Sequence, residues 1–419
     1  MLRIPFVRLF PEQPPPGPFR EESWRSPIRG PWLASILSSA LLPLVAITAI
    51  TGFASHISYE SELGRNATFD RDPVTKLFDR TFDWPAADWL FAVNQGLHVV
   101  CGLLLFPVLL AKLWTVIPKL FEWPPLRSVS HALERAGLAL LVGGSLFVLA
   151  TGIINLQYWY PWNFAFVPAH YYGAIVFLAG LTAHVIGKIG TVRATLREEG
   201  VKAPLRDKEV PAGGTITRRG ALAVVGGGSL LLASQGLGQA VGGPLRSISL
   251  LAPRGEGTAP GGDGPNAFQV NKTASRARIT PEMVGPDYRL TVEVKGGALE
   301  ELSRADLLAL PLTSATLPIA CVEGWTATRR WTGIRLSELA RMVGVDDARE
   351  LYVESLQPGG GFRQVTLNRA QANDPRTLLA LKVEDTDLSL DHGFPARLIV
   401  PGAPGVHNTK WVKRVEVRA

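Results

Sequence analysis

The chain has 419 residues and a mean hydropathy of +0.15, long enough for two or three domains and too apolar for an ordinary soluble protein. Lys and Arg number 43 against 36 Asp and Glu, and the placement of the resulting +7 tracks topology rather than nucleic-acid binding. Two cysteines exclude both a disulfide framework and a Cys-rich zinc or iron–sulfur site.

Uncharged runs set the first elements: Gly30 to Glu60, Leu90 to Ala111, and Ala136 all the way to Gly187. A helix needs about 20 apolar residues to cross the hydrocarbon core. Four spans are therefore predicted, near 32–54, 90–112, 136–156 and 168–188. A fifth uncharged run, Gly220 to Leu245, is glycine-rich and less apolar.

Basic residues orient the spans. Arg3, Arg8, Arg20, Arg25 and Arg29 precede the first; Lys112, Lys119, Arg127 and Arg135 lie between the second and third; Lys188, Arg193, Arg197, Lys202, Arg206 and Lys208 follow the fourth. The other two loops are acidic (Glu60, Glu62, Asp70, Asp72, Asp79, Asp83, Asp88) or, over Asn155 to Val167, uncharged. The expected arrangement is a multi-pass cell-membrane protein with a cytoplasmic amino terminus. If the fifth run spans, everything after about residue 245 is extracytoplasmic. Trp84, Trp89, Trp159, Tyr160 and Trp162 fall where an outer aromatic belt belongs.

Thr217-Arg218-Arg219-Gly220-Ala221-Leu222 resembles a twin-arginine export signal inside the chain, and reads equally as two positive-inside arginines. An exported part that takes up its cofactor before export favours the first reading, because the twin-arginine route moves folded proteins. Pro253 to Pro265, rich in Gly and Pro, reads as a flexible tether.

From Ala267 the composition is that of a soluble mixed domain. Strands are predicted over Tyr288–Lys295, Leu351–Leu356, Leu378–Val383, Arg397–Val400 and Trp411–Val417. Ser303-Arg304-Ala305-Asp306 is a capping-box start for a helix through Leu310, and Leu336–Val343 reads as another helix.

Five of the seven histidines precede residue 190: His56, His98, His131, His170 and His184. An imidazole in a bilayer is costly unless paired or ligated, and axial ligation of haem iron in a four-helix bundle supplies the compensation. His170 and His184 are fourteen residues apart, nearly one helix face and about 21 Å, the spacing of two stacked haems. His98 lies roughly 12 Å below the outer end of its span and pairs in depth with His170 if the fourth span begins a turn earlier. His98 with His170 is the expected outer haem pair. His184 is the inner candidate, with His131 as the other candidate on that side, since Pro31 to Ser38 offers no histidine. His56 reads as an interfacial polar residue.

Residues 90–190, with QGLHVVCGLLLFPVLLAKLW and HYYGAIVFLAGLTAHVIGK, resemble the four-helix membrane cytochrome b subunits of respiratory oxidoreductases. The resemblance implies b haem on second- and fourth-helix histidines: one haem, or two if His184 has a partner. Those proteins place an inner histidine on the first helix, and this sequence has none there.

Cys101 lies in the second span, where a small apolar side chain suffices. Cys321 is alone beyond the spans, in LPIACVEGW, where a short apolar strand ends in a glycine-containing loop. A lone exported thiol is buried, reactive or bound, and soft thiolate binds a redox metal strongly. CVEGW, with Trp331, Gly333 and Leu336 downstream, DHGFPARLIVPG and the terminal TKWVKRVEV, resembles the sulfite-oxidase-like molybdopterin domain over about 267–419. The resemblance implies Cys321 as molybdenum ligand. It also implies Asn271, Lys272, Thr273, His392, Arg397, His407, Asn408, Thr409 and Lys410 around the pterin and its phosphate. Arg329 and Arg330 could meet an anionic substrate or that phosphate, face solvent, or steady a carboxylate. The segment after Cys321 does not reproduce the CAGNRR-like continuation of sulfite oxidases, and the chain stops at Ala419 where many of them continue into an immunoglobulin-like domain. The substrate stays open.

The expected fold is thus an all-α four-helix membrane bundle plus a fifth hydrophobic segment, joined to an α+β molybdopterin domain. The expected divisions are a cytoplasmic tail (1–30), a cytochrome b domain (31–190), a basic segment, fifth hydrophobic segment and tether (191–266), and a molybdopterin domain (267–419). The function implied is a molybdopterin oxidoreductase exchanging electrons between membrane quinone or quinol, haem b and an outer molybdenum site that performs oxygen-atom chemistry on a small molecule. S-oxide reduction and sulfite-type oxidation need the same parts. The alternatives are a haem-free membrane anchor served by a soluble carrier, and a non-enzymatic binding protein with a degenerate site.

Overall fold

The computed structural model describes residues 10–58, 87–202, 205–206, 209–252, 264–294, 296–297 and 299–418. Arg3, Arg8, Trp84, Lys208, Lys295, the acidic residues Glu60 to Asp83 and tether residues 253–263 lie outside these. Five long helices come first: α1 (Pro31–Ser58), α2 (Leu90–Leu120), α3 (Val129–Leu156), α4 (Phe166–Glu198) and α5 (Arg218–Val241). All five are long and apolar enough to cross a membrane. The shortest, α5, has 24 residues and so runs about 36 Å. The first four outlast their predicted spans because helix geometry continues into flanking residues that hydropathy alone leaves out, whereas α5 ends at Val241, before the end of the fifth uncharged run at Leu245. His131, expected before a span, lies inside α3.

Several hydroxyls within these helices are satisfied by their own helix backbone. The Ser38, Thr48 and Thr182 hydroxyls each donate to the carbonyl four residues back. Thr217 caps α5, its Oγ1 accepting from Gly220 N–H at 2.9 Å, so the paired arginines form that helix's first turn.

Contacts divide the chain into two compact units. One comprises 1–50, 98–153 and 169–234; the other comprises 51–97, 154–168 and 235–419. In the first, small residues let helices approach closely: a Cβ on Gly144 would meet Phe177, and one on Gly173 would meet the Phe147 ring at 2.8 Å, both between α3 and α4. The fifth helix packs on α2, with Ser229 Oγ donating to Leu104 O at 2.8 Å.

The second unit holds two five-stranded sheets. In chain order the elements are α6 (Ala274–Ala277), β1 (Arg289–Val294), β2 (Leu299–Ser303), α7 (Arg304–Ala309), β3 (Thr313–Ala320), β4 (Thr326–Arg335), α8 (Leu336–Met342), β5 (Glu350–Ser355), β6 (Gln364–Asn368), α9 (Arg369–Asn373), β7 (Leu378–Val383), β8 (Thr386–Asp387), β9 (Arg397–Ile399) and β10 (Val412–Arg418). The first sheet runs β2-β1-β10-β5-β6, with β1 and β10 parallel; the second runs β3-β4-β7-β8, with β9 also on β7. The capping box at Ser303 and Asp306 forms and starts α7.

Strand alternation then sorts the residues. On β7, Leu379 and Leu381 join the core shared with the first sheet, whereas Leu378 and Ala380 join a second cluster with Phe268, Cys321, Trp325 and Trp331. Both faces of the second sheet are covered, so β7 is buried almost throughout, and Cys321 sits in the outer of its two layers.

Candidate functional site

In the first unit, His98 of α2 and His170 of α4 meet with ring centroids 6.2 Å apart, a spacing that suits one iron between two imidazoles. Each Nδ1 is already engaged. His98 Nδ1 is 2.9 Å from Thr48 O, an acceptor only, so that nitrogen carries the proton. His170 Nδ1 is 3.0 Å from Thr151 Oγ1, whose own proton goes to Phe147 O at 2.8 Å, so His170 Nδ1 also donates. In both tautomers Nε2 is therefore the unprotonated nitrogen, the one with the lone pair that could ligate a metal. Gly102, one turn beyond His98, would project a Cβ into open space, which leaves a cradle beside the pair.

The inner pair does not form among the described residues. His184 meets no second imidazole; its ionic neighbours are Lys112, Lys188, Lys119 and Glu134. His131 serves the start of α3 instead: its N–H donates to Ser128 Oγ, and its Nδ1 accepts from Arg127 N–H at 3.3 Å. His56 is buried in the last turn of α1, which ends at Ser58.

In the second unit, Cys321 follows β3 in a five-residue turn back to β4. Cys321 N–H donates to Trp325 O at 2.9 Å, and Gly324 N–H to Cys321 O at 3.0 Å. Gly324 has φ +85°, a conformation that favours glycine and closes the turn with the sulfur pointing inward. The thiol is 1% exposed, and burial followed by the Glu323 carboxyl pushes it well above the ordinary thiol range. Asn271 Nδ2 lies 3.5 Å from Cys321 Sγ.

Glu323 is the residue that sequence reasoning passed over, although CVEGW contains it. It is buried and hydrogen-bonded to the Cys321 thiol, and burial raises its carboxyl above the usual range. Its Oε2 has no partner. The signal was an acidic residue two positions from a lone thiol in an otherwise apolar segment.

Buried polar atoms that have no partner among the described residues mark the rest of the cradle. His392 stacks on Phe268 with centroids 3.7 Å apart and directs Nε2 at Asn266 O (2.8 Å), which leaves Nδ1 a buried acceptor with no partner. Arg397, 4% exposed on β9, donates from Nη1 to His392 O while its Nε has no partner, and Thr409 Oγ1 is likewise unsatisfied. Buried polar atoms without partners are costly, so this set fits a polar ligand rich in donors and acceptors, as a pterin with its phosphate is. Burial and the neighbouring cations Arg397 and Lys410 hold His392 down to about 3, and burial lowers Arg397 to about 10. Burial and Arg397 hold Lys410 well below the ordinary lysine range, and burial also lowers Lys272. These groups need an anion beside them, and an anionic ligand would supply it.

Other expected residues have structural duties. Lys410 Nζ donates to Lys272 O and Asp391 O, both at 2.8 Å, and Lys272 Nζ to Gln357 Oε1. Thr273 Oγ1 caps α6 by accepting from Arg276 N–H. Asn408 clamps the chain, its Oδ1 accepting from Val400 N–H at 2.8 Å, and His407, lowered to about 4 by burial, ends a buried turn beside it.

Arginines 329 and 330 are separated by strand parity. Arg329 shares the face of Ala327 and Trp331, lies over the Phe268 ring and reaches Ala267 O at 3.3 Å. Arg330 points to the opposite face, where it is exposed and pairs with Asp385 and Glu384, which is the solvent-facing, carboxylate-steadying alternative that the sequence left open.

Residues 277–419 match the family model described as oxidoreductase molybdopterin binding domain. Mitochondrial sulfite oxidase of Drosophila melanogaster is 36% identical over 165 residues, covering 33% of this chain and 28% of the fly protein. A putative protein-methionine-sulfoxide reductase subunit YedZ1 of Azospira oryzae is 32% identical over 118 residues, 27% of this chain and 42% of that protein. Among solved structures, the sulfane dehydrogenase SoxCD of Paracoccus pantotrophus matches 32% of this chain and 38% of its own at 25% identity, with a TM-score of 0.29. The chain spans under a third of the length of the fly sulfite oxidase it matches. The carboxy-terminal part of the chain, residues 277–419, is therefore similar to the molybdopterin-binding domain of the sulfite oxidases.

Proposed function

We propose that the chain is a membrane-bound molybdopterin-dependent oxidoreductase that exchanges electrons between the quinone pool, a haem b held by His98 and His170, and an extracytoplasmic molybdenum site at Cys321. The observation that carries the reading is the His98–His170 pair, with both Nδ1 atoms anchored from behind, in a chain that also carries a molybdopterin domain. A second haem is not part of the proposal, since His184 has no partner imidazole. When bound, molybdopterin supplies two-electron oxygen-atom chemistry and haem supplies one-electron transfer to or from a quinol.

The chain's own residues divide the remaining work. Cys321 offers one sulfur ligand and Asn271 a neutral donor beside it. Glu323, whose carboxyl burial raises above the usual range, can give or take a proton beside the Cys321 sulfur. Lys272, Arg397 and Lys410 provide the positive field for the pterin phosphate, and Trp325, Trp331 and Phe268 keep water from the sulfur. Substrate belongs to the class of small S-oxides or sulfite-type anions. Exposed Trp89, Trp159, Tyr160 and Trp162 support an outer lipid boundary, and the Arg218–Arg219 pair supports passage through twin-arginine export machinery.

The test is stoichiometric: purified full chain should contain one molybdenum by elemental analysis and one haem b by pyridine haemochrome. A well-folded preparation with neither would overturn the proposal; molybdenum without haem would leave a membrane-anchored enzyme served by a soluble carrier.

A further inference from the structure

Gln95 lies on α2, one turn before His98, and is 6% exposed. A buried amide in an apolar helix is costly unless its donors and acceptors are used. Its Oε1 accepts from Ser55 Oγ at 2.7 Å, and Asn94 Nδ2 donates to the same Oγ at 2.8 Å and to Thr51 O at 2.9 Å. The amide orientation is fixed from both ends, because Val322 O can only accept and Ser55 spends its one proton on Gln95 Oε1. Gln95 Nε2 is thereby directed out of the helix cluster, and it donates to Val322 O at 2.9 Å. Val322 is the residue after Cys321, and all of these partners belong to the second unit.

We infer that Gln95 is a positioning residue for electron transfer, tying the Cys321 turn to the helix that carries His98 and providing the bonded route between the two redox centres. The inference rests on the haem and molybdenum assignments proposed above. The route leaves Cys321 through the backbone to the Val322 carbonyl, crosses one hydrogen bond to the Gln95 side chain, and follows α2 for three residues, about 4.5 Å along its axis, to His98. With both groups bound, one electron would pass per step, lost by the centre on one side and gained by the centre on the other, with no bond or proton changing hands. Tunnelling decays more slowly through bonded atoms than through a gap, so loss of the hydrogen bond slows the exchange in either direction.

The test injects one electron into the haem of the full, cofactor-loaded chain with a flash-reduced deazaflavin and follows the haem absorbance as it equilibrates with molybdenum. Gln95→Met keeps the volume and removes the donor; the relaxation should slow by about tenfold or more, with haem content, molybdenum content and haem midpoint potential unchanged. Hydrogen exchange at the amides of residues 321–325, read without turnover, should quicken in the same variant. Ser55→Ala, which removes the bond behind the amide but not the bond to Val322, should leave the relaxation within about twofold. Gln95→Glu covers the case in which Gln95→Met does not load: its relaxation should slow as pH rises, as a carboxylic acid that can donate becomes a carboxylate that cannot. Unchanged relaxation in loaded Gln95→Met, a pH-independent Gln95→Glu, or equal slowing in Ser55→Ala overturns the relay alone. A wild-type chain lacking haem or molybdenum overturns the assignments beneath it.

Discussion

The indole Nε1–H of Trp325 donates to the Tyr158 hydroxyl at 2.7 Å, four residues from Cys321. Tyr158 holds a left-handed conformation (φ +53°) and packs against the cluster that buries the cysteine. The cysteine turn is therefore held at two points, through Val322 O by Gln95 and through Trp325 by Tyr158. Burial, with Glu323 and Cys321 nearby, pushes the Tyr158 phenol far up, so it stays protonated and neutral.

Tyr158→Phe tests the second point. It leaves a buried indole N–H without an acceptor, at a cost of about 1–3 kcal/mol. In a unit of this size that corresponds to a fall in melting temperature of very roughly 2–4 °C per kcal/mol. Differential scanning fluorimetry of wild type, Tyr158→Phe, Trp325→Phe and the double variant should show a non-additive pair; strict additivity would mean that the contact contributes nothing.

The histidine pair makes a spectral prediction. His98→Ala and His170→Ala should each lose the haem, whereas His184→Ala and His131→Ala should retain it. Thr151→Val should keep most of the haem and raise its midpoint potential, because the Thr151 hydroxyl, in accepting from His170 Nδ1–H, makes that imidazole a stronger donor to ferric iron. Potentiometric titration of the Soret band reads all five chains.

The histidine pair was legible in the sequence because lipid permits few polar residues and helix geometry converts their spacing into depth. The cysteine was legible because it stood alone. What sequence reasoning missed depended on strand register. β4, TATRRWTGIR, carries exposed polar residues on one face and a bulge at Gly333, where a Cβ would meet Leu379 O at 2.0 Å, and without that strand the two arginines could not be told apart. Gln95 drew no reading from the sequence, because its partner is 227 positions away, beyond any local pattern.

Cys321→Ser should abolish turnover of the S-oxide or sulfite-type substrate and leave the haem spectrum intact, since its hard oxygen is a poor substitute for a soft thiolate on a redox metal. Residual turnover above a few per cent would place the metal elsewhere.

Arg330 and Arg397 should behave oppositely although both are arginines of the second sheet. Arg330 is an exposed ion-pair partner, worth about 0–1 kcal/mol, so Arg330→Ala should keep full molybdenum content. Arg397 is buried beside His392 O with an unsatisfied Nε, so Arg397→Ala should lose the cofactor. Elemental analysis of the two purified variants decides whether strand parity sorted them correctly.

His392 sets a pH dependence of stability. Burial and the cations Arg397 and Lys410 hold its imidazole down to about 3 in the folded chain, against about 6.5 when unfolded. Above about pH 6.5 the ring is neutral in both states and contributes no slope. As pH falls below that value the unfolded chain takes up a proton that the folded chain refuses, so stability declines by up to about 1.4 kcal/mol per pH unit until the folded group also titrates. His392→Gln removes the titrating group, and its melting temperature should fall less steeply than that of wild type between pH 6.5 and pH 4. Parallel curves would mean that the folded imidazole is protonated across that range, stabilised by an anion that bound pterin phosphate would supply, and the experiment repeated on cofactor-free chain should then restore the difference.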